Sequence, residues 1–190
     1  MINVKSSGES RYDNLTKEFE MPIIKQFILR SLLLISLSPF AMASSVVVNQ
    51  VNTQVNSEII WKADNPLSGS GDFWQLPSET ISLGSGDCED IAYLKMVKLQ
   101  QAHIPAFMLS GMLPDGAHMI TVAIQEGQFL VLDNRLEDVI PLDQFISMTD
   151  FKPMLGFNQR GVYKAFESVE HAPYLMPFDD YLAMKRQQSL

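Results

Sequence analysis

Residues 87–102 contain neither Gly nor Pro and are rich in helix-forming side chains. Three short runs of apolar and β-branched residues follow, at 106–113, 117–124 and 129–132, parted by the turn signals Pro114-Asp115-Gly116 and Glu126-Gly127. A helix that feeds a three-stranded antiparallel meander is an α+β arrangement. At 190 residues the chain is long enough for one well-buried domain and short for two.

Asp87 is a good N-cap for that helix, which makes Cys88 its first residue. The sulfur then sits near the positive end of the helix dipole, a position that favours thiolate over thiol. The second turn fixes a register. If Glu126 and Gly127 form a two-residue loop, Gln125 pairs with Gln128 and Ile120 lies opposite Asp133. His118 shares a face with Ile120, so His118 and Asp133 become diagonal cross-strand neighbours. A loop one residue longer or shorter would send them to opposite faces.

Cys88, His118 and Asp133 are the residue types of a nucleophile, its base and a group that orients the base. With 3 His and 22 acids, such a trio arises easily by chance; its placement carries more weight than its composition. His103 follows the helix just before Ile104-Pro105 and His171 lies in the Pro-containing tail, and neither has an acid brought to it by a hairpin. Cys88 is the one cysteine, so no intramolecular disulfide can form. Its alternative reading is an inert core thiol.

Asp87, Glu89 and Asp90 flank the cysteine. Their plain reading is helix capping and interaction with the dipole. They also pose a conflict, because like charges disfavour a thiolate. A hard cation held by oxygen ligands would neutralise them, and Ca2+ suits such a donor set. Trp74 reads as a core aromatic. Residues 157–161 read as a turn between two extended runs, and residues 174–184 as a tail packed on the domain.

The first 43 residues differ in character. A polar stretch at 1–20 precedes Met21, which is itself a candidate start; Lys25 and Arg30 then lead into an apolar run at 32–40 and the triplet Ala41-Met42-Ala43. That order predicts an export signal at 21–43 and a single domain at 44–190. The run is too short to span a bilayer, and an uncleaved anchor or a buried helix is the alternative. The remaining chain has nine Lys and Arg against eighteen Asp and Glu. With a net charge of −8 over the whole chain, a nucleic-acid partner is not expected.

Taken together, residues 72–79 (DFWQLPSE), Gly86-Asp87-Cys88-Glu89-Asp90, Ala117-His118-Met119, Leu132-Asp133-Asn134 and Gly156-Phe157-Asn158 resemble, in order, the bacterial transglutaminase-like cysteine proteinases of the LapG type. The resemblance spans residues 59–163. It implies a papain-like or transglutaminase-like core with Cys88, His118 and Asp133 as triad, and calcium dependence through Asp87, Glu89 and Asp90. It further implies a periplasmic endopeptidase that clips a large surface adhesin to end biofilm attachment, and an inner-membrane cyclic-di-GMP receptor as partner. Acyl transfer to an amine and a non-catalytic calcium-binding module are the alternatives to weigh.

Overall fold

The computed structural model describes residues 39–64, 72–164 and 174–187. The upstream stretch at 1–20, residues 21–38 of the export segment, most of the Gly and Ser rich stretch at 67–72, which reads as a loop, and His171 lie outside them. The Ala41-Met42-Ala43 triplet is helical. Among the described residues no helix is long and apolar enough to cross a membrane.

In chain order the elements are α1 (Pro39–Glu58), β1 (Ile60–Trp61), α2 (Pro77–Leu83), β2 (Ser85–Gly86), α3 (Cys88–Gln101), β3 (Ala106–Leu113) and β4 (Gly116–Gln125). There follow β5 (Gln128–Leu132), β6 (Ile140–Pro141), α4 (Leu142–Thr149), β7 (Lys152–Asn158), β8 (Gly161–Lys164), β9 (Tyr174–Met176) and α5 (Phe178–Gln187). The predicted meander is the centre of a seven-stranded sheet of order β6-β5-β4-β3-β7-β8-β9, every pair antiparallel. The turn read at 157–161 closes the β7–β8 hairpin, in which Asn158 faces Gly161.

Gln125 does pair with Gln128, and the ladder runs to Thr121 opposite Leu132. Glu126 and Gly127 have φ of 50° and 76°, the left-handed pair that a tight turn between twisted strands needs. His103, with φ of 59°, ends α3 in the same backbone region, and the Ile104 amide reaches back to the Leu99 carbonyl at 2.9 Å. That role in closing the helix accounts for His103.

Both faces of the sheet are covered, which is why β4 is buried from His118 to Ala123 without alternation. On one face Val48, Val51 and Val55 of α1 and Ile91, Ala92, Leu94 and Leu99 of α3 pack against Met108, Met119, Ala123 and Leu132. On the other, Phe145 of α4 and Phe151 pack against Leu109, Ile120, Val122 and Val131. Burying each such large side chain contributes about 1.5–3 kcal/mol. The tail packs as expected: Phe178 and Tyr181 of α5 close on Trp74, with ring centroids 6.4 and 5.2 Å away.

Candidate active site

The residue before the helix decides how the nucleophile is presented. A Cβ on Gly86 would lie 2.6 Å from the Asp90 Cβ and 2.7 Å from its Oδ2, so only glycine lets the Asp90 carboxylate fold back under the helix start. There Asp90 accepts from the Asp87 amide at 3.3 Å and from the Gln75 amide at 2.8 Å. β2 is held from the other side by its parallel pairing with β1, Trp61 facing Gly86. Cys88 is thus fixed as the first residue of α3, with Asp87 at the N-cap.

The ladder between β4 and β5 stops at Thr121 and Leu132, which leaves the amide of Met119 beyond the end of β5. That amide lies near enough to the Cys88 sulfur to favour its thiolate. The neighbouring residue, His118, is 3 % exposed, and its Nε2 lies 3.1 Å from both carboxylate oxygens of Asp133. Asp133 is itself held by the Arg135 amide, 2.8 Å from Oδ1. The imidazole's Nδ1 is buried with no hydrogen-bond partner among the described residues. The structure therefore joins His118 to Asp133 directly and brings Cys88 to the strand that carries His118. No hydrogen bond joins Cys88 to His118 among the described residues. The thiol donates instead to Glu89 Oε2 at 3.1 Å.

The acids around Cys88 divide into two jobs. Carboxylate oxygens of Asp64, Asp87 and Glu89 all lie within 4.8 Å of one another. Asp90, which sequence reasoning grouped with Asp87 and Glu89, is fully buried and directed at the two amides named above. Asp64 was not singled out from the sequence, and neither was Asp72, whose Oδ1 accepts from the Trp74 indole at 3.1 Å and whose Oδ2 accepts from Lys185. The available signal was their position around the Gly and Ser rich stretch at 67–72, Asp64 just before it and Asp72 at its end. α5 braces this region further: Arg186 donates to Glu79 at 2.7 and 2.9 Å and to the Trp74 carbonyl at 2.8 Å.

Burial and mutual repulsion dominate the electrostatics. Burial, then the neighbouring Glu89, pushes Asp87 up to about 9. Burial raises Glu89 to about 7, and burial with the charge of Asp87 raises Asp90 to about 7. The Cys88 thiol is pushed well above its ordinary value by burial first, then by Glu89 and Asp87, against which the Met119 amide acts. Burial works to raise Asp133 too, but the His118 hydrogen bond and charge, the Arg135 amide and the charge of Lys95 hold it below the ordinary carboxylate range.

Three comparisons bear on this arrangement. The family described as bacterial transglutaminase-like cysteine proteinase matches residues 38–150. Among solved structures, calcium-bound LapG of Legionella pneumophila is 27 % identical, with a TM-score of 0.61 over 75 % of this chain and 80 % of that one. The EGTA-treated form of that protein is 24 % identical, with a TM-score of 0.60 over 75 % and 79 % of the two chains. No curated protein matches this sequence.

Proposed function

From the premise that the chain belongs to the bacterial transglutaminase-like cysteine proteinases, and so is a cysteine peptidase, we propose that it is a calcium-dependent endopeptidase with Cys88, His118 and Asp133 as triad. The observation that carries the triad is the buried His118, bound through Nε2 to Asp133 while its Nδ1 has no hydrogen-bond partner among the described residues. In this reading Nδ1 takes the Cys88 proton as the sulfur attacks a peptide carbonyl carbon. The same nitrogen then delivers that proton to the leaving amine, and water, deprotonated by His118, hydrolyses the thioester and regenerates the thiol. Asp133 holds the ring and stabilises the imidazolium.

Calcium enters because the residues fit it. The oxygens of Asp64, Asp87 and Glu89 converge, all are hard donors, and the buried Asp87 Oδ1 lacks a hydrogen-bond partner among the described residues. The related Legionella protein is known in a calcium-bound form. The ion would supply positive charge that offsets the carboxylates now holding the thiol protonated. Asp90 then serves this site from beneath, by fixing the backbone at Asp87 and Gln75.

The reading extends to place and partners. The basic, apolar and small-residue order of 21–43 supports export to the periplasm. A large surface adhesin is proposed as substrate and an inner-membrane cyclic-di-GMP receptor as regulator, following the LapG-type resemblance. Ile60 and Trp61, 73 % and 58 % exposed beside the strand that leads into Cys88, offer an apolar surface for a protein partner.

The test is incubation of the purified protein with a peptide library in calcium, products read by mass. Cleaved peptides that disappear in Cys88→Ala and in His118→Ala support the peptidase. Amine-crosslinked products would move the assignment to acyl transfer. No product, with Cys88 inert to thiol reagents, would leave a binding module.

A further inference from the structure

Lys95 is fully buried, unlike every other lysine among the described residues. It lies two turns beyond Cys88 on α3, so both side chains leave the same side of the helix. Its Nζ donates to Asn52 Oδ1 on α1 at 2.8 Å. Asn52 in turn donates to the carbonyls of Leu136 and Glu137 at 3.2 and 3.0 Å. One turn later, Asn56 donates to the carbonyls of Asp133 and Leu136, both at 3.0 Å. Two amides of α1 therefore hold the backbone of residues 133–137, which begins at the acid of the triad.

A fully buried ammonium is costly, and an apolar side chain of similar length would fill the space at less cost. Its presence is explained by what it faces. Burial pushes Lys95 down to about 7, and the opposing charge is that of Asp133, which Lys95 reciprocally helps to keep ionised. No ion pair at contact distance joins the two among the described residues, so the attraction acts across the Asn52 network.

We infer that Lys95 is a positioning residue: it presents its charge toward Asp133 and, through Asn52, ties the turn that carries Asp133 to the helix that carries Cys88. The inference rests on the triad reading and deepens it. A structural brace alone would be served equally by an uncharged side chain, whereas this role needs the charge and works only through Asp133.

The experiment is a double-mutant cycle in saturating calcium on Lys95→Met, Asp133→Asn and the pair, with melting temperature and the rate of Cys88 alkylation by iodoacetamide as readouts. Lys95→Met is expected to melt at or above the wild-type temperature and to alkylate at least tenfold more slowly. In the Asp133→Asn background the same substitution should cause no further loss. Lys95→Gln, which keeps a donor for Asn52 without the charge, should be as slow as Lys95→Met and is read in its place if that variant does not fold. Wild-type alkylation in either lysine variant, losses that multiply in the pair, or failure of both variants to fold overturns the inference. Wild-type alkylation in Asp133→Asn alone would instead sink the triad reading.

Discussion

The Cys88 thiol donates its hydrogen to Glu89 Oε2 across 3.1 Å, while Glu89 also converges with Asp64 and Asp87. One carboxylate therefore serves both the nucleophile and the candidate cation site. Drawing Glu89 toward a cation weakens its hold on the thiol.

Alkylation of Cys88 should therefore respond to calcium. Labelling by iodoacetamide near neutral pH is expected to be at least tenfold faster in calcium than in EDTA, and to fall in His118→Ala. Calcium at a hundred times its dissociation constant should also add about 2.7 kcal/mol of stability, read as a rise in melting temperature. Equal labelling with and without the ion would separate calcium from the chemistry.

The two jobs of the acids can be told apart by substitution. Asp64→Asn is expected to weaken calcium binding, measured by calorimetry, while leaving the melting temperature in EDTA close to wild type. Asp90→Ala removes the acceptor of two backbone amides and should cost about 1–3 kcal/mol in EDTA as well. The reverse pattern would return Asp90 to the ligand set.

Stability without the ion should fall as pH rises from about 5 to 7. Asp87, Glu89 and Asp90 are raised to about 9, 7 and 7, so in this window the folded chain holds protons that the unfolded chain has already released. Asp72, Glu79 and Asp133, held below their ordinary range, act at lower pH, and Lys95, lowered to about 7, works in the opposite sense above the window. Melting curves in EDTA should show the decline and curves in calcium should be flatter. A rise with pH in EDTA would contradict the burial of these acids.

Gly86→Ala should cost about 1–3 kcal/mol by chemical denaturation, because the new methyl would press on the Asp90 side chain. Activity is expected to drop with it, since the helix start cannot move without moving Cys88. A variant as stable as wild type would mean that Asp90 yields freely.

What could be read from the sequence was what short-range rules control. The start of α3 at Cys88, the turn at Glu126-Gly127 and the resulting approach of His118 to Asp133 all follow from caps, turns and period-2 alternation within a few residues. The four outer strands β6, β7, β8 and β9 were not placed in the sheet, because pairing such as Met108 with Phe157 joins residues far apart in the chain. Asp64 and Lys95 were missed for the same reason: the one gains its meaning from the approach of its carboxylate to those of Asp87 and Glu89, the other from a contact with α1. Asp90 sat on the right helix turn, but its direction depends on Gly86 and Gln75.

The grip of Arg186 on Glu79 and on the Trp74 carbonyl has a consequence for the order in which the site is assembled. The segment that leads to the nucleophile is held by the last described helix, α5, so an emerging chain has Cys88, His118 and Asp133 well before it has the brace on residues 74–79. Residues 74–79 thus acquire that brace only once α5 has docked, so the support of the nucleophile's approach runs from the carboxyl-terminal side of the described chain back to the start of α3.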